Sequence, residues 1–178
     1  MTIGTEFLDQ SKKVFRSQKD LADRSIAQLE DADLLWQPDA ETNSVAINMK
    51  HLAGNMISRW TDFLTTDGEK TDRDRDSEFL ITSADIQALR DYWERGYKVF
   101  FDSLDSITEA DLLKTVTIRG EPHTVIQAIQ RQVSHYGYHV GQIAGLAKQI
   151  KVSNWKTLTI PRGKSAEFLN PKFVPVQM

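Results

Sequence analysis

The stretch RQVSHYGYHVGQ, residues 131–142, decides how the rest of the chain is interpreted. Its two histidines, His135 and His139, are four residues apart, so on a helix they share one face with Cβ atoms about 5–6 Å apart. At that distance two imidazoles can share one metal ion. The pattern therefore predicts half of a metal site inside a helical bundle.

Three glycines follow the same stretch at four-residue spacing: Gly137, Gly141 and Gly145. Each lowers helix propensity by about 1 kcal/mol relative to alanine. Such a row indicates a surface that a neighbouring helix approaches closely, either in this chain or in a second subunit.

The composition is that of one globular domain spanning residues 1–178, with 40% hydrophobic and 26% charged residues. A chain of this length can bury about 70% of its unfolded surface around a single core. The net charge of −3 provides no basic field, which argues against nucleic-acid partners. No apolar run approaches the ~20 residues of a membrane span, which argues against a membrane partner.

The chain contains no cysteine, which excludes disulfides, thiolate ligands and a cysteine nucleophile. The first residues include acids and lack the apolar run of a signal peptide, so we expect a cytoplasmic location. Histidines are then the strongest nitrogen ligands available. The sequence has four of them: His51, His123, His135 and His139.

Apolar residues recur at helical spacing in four segments, which indicates an all-α fold. The predicted helices are residues 3–29, residues 45–65, a third helix capped by Thr82 and Ser83 that extends to about Leu104, and residues 124–150. Thr115 to Ile118 alternates like a strand and a Gly-Glu-Pro turn follows, so a small hairpin is expected before the fourth helix. Residues 151–178, with Pro161, Pro171 and Pro175, are expected to form an irregular tail packed on the bundle.

The second and third helices are separated by a charged segment that ends in DGEKTDRDRDSE, residues 67–78, which we call the charged loop. A run of mixed charges is typical of a solvated loop. The connection is long enough to cross between distant ends of a bundle, so the second and third helices need not be antiparallel neighbours.

His51 belongs to the second helix, where Lys50 is the only charge between Val45 and Ser58. A helix so poor in charge is expected to be covered on most sides. His51 nevertheless lies opposite the apolar face, on a polar stripe that also carries Asn55. The spacing leaves two alternatives open, since this stripe either faces water or lines a polar pocket.

Together with His135 and His139, His51 would provide three imidazole nitrogens from two helices. Three protein ligands with an open position are typical of catalytic zinc sites, although imidazole also binds Cu, Fe and Ni. His-x-x-x-His is a weak signal alone, because two partly buried histidines can simply bond to polar neighbours. His123, in the turn before the fourth helix, is expected to be exposed.

The stretch lacks the glutamate of an HExxH metalloprotease, because Tyr136, Gly137 and Tyr138 separate the two histidines. Asp62 shares the stripe of His51 but lies about 16 Å along the helix. Peptidase-like hydrolysis is therefore disfavoured, unless a loop supplies a carboxylate. A metal can instead deprotonate a coordinating thiol, a mechanism that requires no protein base. Because the chain has no cysteine, that thiol would be a small molecule.

Arg131, one turn before His135, could bind a carboxylate of such a molecule. The other candidates for the rim of the site are Arg59, Asn55, Gln132 and Tyr138. Each of them has the alternative of a surface or interhelical hydrogen-bonding role.

The motif order resembles a known superfamily. NSVA (residues 43–46), HLAGN (51–55), SRW (58–60) and DGEK (67–70) precede HYGYHVGQI (135–143). This order is similar to that of a bacterial branch of the DinB-like (YfiT-like) metalloenzyme superfamily, over nearly the whole chain. The resemblance implies a four-helix bundle with a long crossover between helices 2 and 3, often assembled as a homodimer.

The resemblance further implies that one histidine of helix 2 and two of helix 4 bind a divalent metal, which we expect to be zinc or nickel. Those positions match His51, His135 and His139. Relatives use low-molecular-weight thiols, as in bacillithiol transfer and mycothiol-dependent isomerisation. The leading hypothesis is accordingly a thiol S-transferase whose partners are a small thiol and an electrophilic substrate. The alternatives are a metal-dependent hydrolase and a metal-stabilised dimeric binding or stress protein without turnover.

Overall fold

A computed structural model describes residues 1–81 and 85–168. This part is mostly helical, with four long α-helices and one two-stranded sheet. The helices are α1 (Ile3–Ile26), α2 (Val45–Trp60), α3 (Ile86–Ser106) and α4 (Val125–Lys151), and the strands are β1 (Thr115–Ile118) and β2 (Glu121–Thr124). No helix among these residues is long and apolar enough to cross a membrane.

Helix α2 ends five residues earlier than periodicity predicts. Thr61 is extended and Asp62 has a positive φ of 49°, so the helix cannot continue beyond Trp60. Phe63 is still buried, because it packs against Trp60 from the following turn. Apolar periodicity cannot distinguish such a turn from another helical turn. The first helix is likewise shorter than predicted and ends at Ile26.

The predicted caps of the third helix, Thr82 and Ser83, lie outside the described residues, as do Pro171 and Pro175 of the tail. Asp85 precedes α3, and its side chain accepts a hydrogen bond from the backbone N–H of Ala88. Within the described part of the tail, residues 152–168, only two short 3-10 helices follow α4.

The hairpin is confirmed. β1 and β2 pair antiparallel from Thr115 opposite Thr124 to Ile118 opposite Glu121. Arg119 and Gly120 form the turn with φ values of 57° and 75°, as a two-residue hairpin loop requires. Thr124 then begins α4 with a capping box to Gln127.

Helix α2 packs against both α3 and α4, and α1 packs against α4. All residues of α2 except Lys50 and Ile57 are buried, which confirms the prediction from its low charge. A Cβ on Gly96 of α3 would lie 2.7 Å from the Cα of Ala53, so this glycine allows the two backbones to approach closely. The residue type at this contact therefore sets the distance between α2 and α3.

An aromatic cluster joins the four helices, with one ring from each. The Phe100 ring of α3 lies 4.7 Å from Phe15 of α1, 4.8 Å from Trp60 of α2 and 5.4 Å from Tyr136 of α4. The indole N–H of Trp60 donates to the Tyr136 hydroxyl at 3.0 Å, which in turn donates to Oδ1 of Asn55 at 3.2 Å. Because Tyr136 directly follows His135, the cluster holds α2 and α4 in register at the histidines.

The charged loop is only in part the solvated segment that its composition predicts, because residues 71–72 and 74–76 are exposed while others pack against the protein. The backbone N–H of Gly68 donates to the carbonyl of Thr117 in β1, and the backbone N–H of Lys70 donates to the Ser58 hydroxyl of α2. Arg73 and Glu78 have side chains only 5% exposed. The loop folds back over α2 because its charges pair with one another and with groups of α2 and the hairpin.

Candidate metal centre

Helices α2 and α4 bring His51, His135 and His139 together. Their candidate ligand nitrogens all lie within 4.8 Å of one another, and Nε2 of His51 is 3.3 Å from Nε2 of His135. Two nitrogens each at ~2.0–2.1 Å from a tetrahedral ion are separated by about 3.3 Å. His51 is only 3% exposed, so its stripe lines a polar pocket between helices and does not face water. The three histidines could hold a metal ion.

Each of the three imidazoles has an oxygen partner on its outer nitrogen. Nδ1 of His51 donates to Oε2 of Glu78 at 2.9 Å, Nδ1 of His139 to Oδ1 of Asn48 at 2.8 Å, and Nδ1 of His135 to Oε1 of Gln132 at 3.2 Å. An oxygen acceptor places the proton on Nδ1 and leaves the lone pair on Nε2. Such partners orient histidine ligands in metal sites. The donor set therefore fits a metal ion that accepts imidazole ligands.

Burial keeps two of the histidines neutral. It lowers the pKa of His135 to about 3, with further lowering from the neighbouring His139 and His51. It also lowers the pKa of His139 to about 4. Since a metal binds only the neutral imidazole, both residues are in the ligating form at pH 7.

Glu78 reaches the site from the charged loop, 27 residues beyond His51. The Arg73 guanidinium donates to both of its oxygens, through Nε and Nη2, at 2.7 Å each. Burial acts to raise the pKa of the Glu78 carboxyl, but the bonds from His51 and Arg73 outweigh it and hold that pKa below its usual value. The charged loop thus does supply a carboxylate near the site, but both of its oxygens are bonded and it serves to orient His51.

Helix α2 makes room for this carboxylate at Gly54. A Cβ at position 54 would overlap Oε1 of Glu78. Any larger residue there would push Glu78 away from His51.

A cavity of about 370 Å³ opens beside His51 and His135. Its other lining residues are Asn55, Arg59, Arg75, Arg119, Arg131, Gln132 and Ser134. Four of the five predicted rim residues are among them. The fifth, Tyr138, is 64% exposed and does not line this cavity, although its ring lies 5.1 Å from that of His139.

His123 lies apart from the three-histidine group. It belongs to β2, where it pairs with Val116, and it is half-buried with an enclosed Nε2 atom. The expectation of an exposed residue in a turn is therefore wrong, because β2 already begins at Glu121, two residues before His123.

Sequence reasoning missed Glu78 and Asn48 as partners of the histidines and assigned Gln132 to the rim. Gln132 stands one turn before His135, and this spacing could have suggested their contact. Asn48 stands one turn before His51 but bonds to His139 on another helix. Glu78 is one of six acids in the charged loop, and no local signal distinguishes it.

The fold and the site define a mostly helical protein whose three histidines, from two helices, could hold a metal ion. The family described as "Protein of unknown function (DUF1572)" matches residues 2–164, and the chain belongs to this family, which is DinB-like. Comparison with curated proteins and with solved structures finds no match.

Proposed function

We propose that this protein is a divalent-metal-dependent enzyme that transfers a small-molecule thiol to an electrophilic substrate. The observation that carries the proposal is the set of three imidazoles whose Nδ1 atoms each bond to an oxygen, and whose candidate ligand nitrogens lie within 4.8 Å of one another. We further propose the four-helix bundle with a crossover between α2 and α3, the homodimer and the cytoplasmic setting that the DinB-like superfamily implies.

His51, His135 and His139 would hold the metal, zinc or nickel. When bound, such an ion lowers the pKa of an incoming thiol so that the thiolate is available at neutral pH. The transfer forms a sulfur–carbon bond and breaks the bond from that carbon to its leaving group. The thiol proton passes to solvent.

The absence of an available base favours transfer over hydrolysis. Among the described residues, the lining of the 370 Å³ cavity includes no aspartate or glutamate. Both oxygens of Glu78 are occupied by His51 and Arg73. A water nucleophile would lack a protein carboxylate to accept its proton, whereas a thiol requires none.

Metal content tests the site first. Protein purified without an affinity tag should contain about one divalent ion per chain, and His51→Ala, His135→Ala and His139→Ala should each lose it. His123→Ala is the matched control, because it removes a histidine outside the group and should retain the metal. Wild type without stoichiometric metal, or variants that keep it, would refute the site.

Turnover then tests the reaction class. With the metal-loaded protein, consumption of a model electrophile only when a low-molecular-weight thiol is present supports transfer. Cleavage of esters or amides without thiol would instead establish the hydrolase alternative. If the protein binds metal but shows neither activity across a broad substrate panel, the result would support the alternative of a metal-stabilised dimeric binding protein.

A further inference from the structure

We propose that the 370 Å³ cavity beside His51 and His135 is a binding subsite for an oxyanion, a carboxylate or a phosphate, held by Arg59 and Arg131. This proposal rests on the proposed function in one respect, because it takes the bound anion to be a part of the thiol or of the electrophilic substrate. The substrate class is thereby narrowed to small molecules that carry such a group away from the reacting atom.

The cavity is strongly positive in a protein of net charge −3. Its described lining contains four arginines, namely Arg59, Arg75, Arg119 and Arg131, and no acid. Charges of one sign around a concave surface focus the field and attract the opposite charge. A larger cleft of about 720 Å³, lined by other residues of α2 and the charged loop, touches none of the three histidines. The smaller cavity is therefore the one next to the metal centre.

Arg59 is the residue that most clearly lacks a partner. It is only 2% exposed, and its Nε and Nη1 atoms have no hydrogen-bond partner among residues 1–81 and 85–168. Nη2 lies 3.8 Å from Oε2 of Glu69, beyond hydrogen-bond distance. Burying a guanidinium with unused donors is costly. Arg59 also lines the cavity, so an anion there would add an acceptor next to this incompletely paired guanidinium.

Arg73 of the charged loop, which is also buried, provides the contrast with Arg59. Its Nε, Nη1 and Nη2 atoms all donate to carboxylates, to Glu78 and Glu69. Arg73 thus has a complete structural role, whereas Arg59 has donors to spare. Room for Arg59 is provided by Gly68, where a Cβ would lie 2.8 Å from the Arg59 Cδ atom.

The other arginines are engaged to different degrees. Nε of Arg119 lies 3.3 Å from Glu69. Arg75 has no ion pair among the described residues, but its guanidinium lies over the Phe79 ring, 5.2 Å from the ring centre. Arg131 is exposed and makes no ion pair within the described part of the chain. Arg59 and Arg131 are therefore the two with the most capacity to bind a ligand.

Their positions on the helices locate the anion relative to the histidines. Arg131 is one turn from His135 and Arg59 two turns from His51, about 6 and 12 Å along the respective axes. Guanidinium groups bind carboxylate and phosphate oxygens through paired, parallel N–H donors. A ligand that reaches both regions must separate its charged group from its reactive atom by several bonds.

Calorimetric titration of the full-length protein with inorganic phosphate and with succinate, at low ionic strength, tests the subsite. Both the metal-loaded and the chelator-treated protein are used, so that binding to the metal is distinguished from binding to the arginines. We expect Arg59→Gln and Arg131→Gln to weaken binding about tenfold or more. Arg24→Gln, which removes an exposed arginine of α1 paired with Asp20, should leave the affinity unchanged.

Selective binding of phosphate would indicate substrates that carry a phosphate. Selective binding of succinate would indicate substrates that carry a carboxylate. Wild type that binds neither more tightly than about 10 mM, or affinity unchanged in both variants, would overturn the proposal. If Arg59→Gln fails to fold, the test depends on Arg131→Gln alone, which changes an exposed residue. An unchanged affinity of that variant for the anion is then sufficient to reject the subsite.

Failure of the proposed function can be distinguished from failure of the anion subsite. If thiol transfer occurs, wild type should prefer 6-mercaptohexanoate to 6-mercaptohexanol, and Arg131→Gln should reduce that preference in kcat/KM. Arginine-dependent anion binding without any thiol turnover would reject the transferase and retain the subsite. Turnover with equal use of the two thiols, together with no anion binding, would reject the subsite alone.

Discussion

Glu78 is the one buried glutamate among the described residues, and its carboxylate is shared between His51 and Arg73. A carboxylate on the outer nitrogen of a histidine ligand fixes the ring and raises its basicity. The ion pair with Arg73 holds Glu78 in place. One buried loop residue thus determines how His51 presents Nε2.

Replacing Glu78 should weaken metal binding without removing a ligand. We expect Glu78→Gln to lower the affinity about tenfold and Glu78→Ala up to about a hundredfold, the range seen for partners of metal-bound histidines. The measurement is a competition titration with a chelator of known affinity. Asp76→Asn is the control, since Asp76 is an exposed acid of the same loop; equal affinities in all variants would contradict this role.

Two helical glycines should respond oppositely to the same substitution. Gly54→Ala places a methyl group against the Glu78 carboxylate, so we expect it to destabilise the protein by about 1–3 kcal/mol and to weaken metal binding. At Gly141 a Cβ would meet nothing within 4 Å in the described structure. Gly141→Ala should therefore stabilise it by about 0.8–1.0 kcal/mol. Denaturant unfolding of both variants checks the pair.

The Gly141 result also bears on the glycine row. Of the three glycines in the row, only Gly137 has a near neighbour among the described residues: a Cβ added to it would lie 3.1 Å from Nε2 of Gln18. If Gly141→Ala destabilises the protein and dissociates a dimer in light-scattering measurements, a second subunit covers this face. A stabilised variant of unchanged mass would show that α4 is open there.

At the scale of elements, the charged loop and the hairpin depend on each other through Asp67. Its carboxylate accepts hydrogen bonds from the backbone N–H groups of Glu69, Arg119 and Gly120. Burial acts to raise its pKa, but these three bonds together keep the pKa below its usual value. Asp67 therefore fastens the start of the loop to the hairpin turn.

Asp67→Ala should loosen both elements at once. Loss of hydrogen bonds to a charged acceptor is expected to cost about 1–3 kcal/mol in unfolding free energy. Amide hydrogen exchange should accelerate at Gly120 as well as in residues 67–78. Asp72→Ala, an exposed change in the same loop, serves as the control; protection of the hairpin unchanged in Asp67→Ala would show that the two elements are independent.

At the scale of the whole molecule, the buried histidines make stability depend on pH. The folded protein holds His135 at a pKa of about 3 and His139 at about 4, whereas a histidine in an unfolded chain titrates near pH 6.5. Between these values the unfolded chain binds protons that the folded chain does not. Acidification therefore favours unfolding, and the contribution of these residues to stability is complete above about pH 6.5.

We expect the unfolding free energy of the metal-free protein to decrease as pH falls from about 6.5 to about 4. Two such protons correspond to a slope of up to about 2.7 kcal/mol per pH unit. Urea unfolding at successive pH values measures the slope, and His139→Asn should reduce it. An identical slope in wild type and variant would show that His139 is not kept neutral by burial.

Helix positions and the hairpin were predictable because they depend on neighbouring residues. Apolar spacing located all four helices, and the alternation of Thr115 to Ile118 with the following turn located the hairpin. The predicted end of α2 was wrong, because Phe63 packs from the following turn and extends the apolar pattern past Trp60, the last helical residue. The prediction of a solvated charged loop was wrong for Arg73 and Glu78, because composition does not reveal whether two charges pair with each other or with water.

The sequence by itself placed three histidines on two helices, with His135 and His139 at a spacing compatible with one metal, because helical periodicity assigns each residue to a face. Only the tertiary structure decided that the face of His51 meets α4, that Glu78 orients it, and that Arg59 is buried with unused donors. These outcomes depend on contacts between residues that are distant in the chain. The packing of α2 against α3 and α4 and the folding back of the charged loop create those contacts, and no local pattern encodes them.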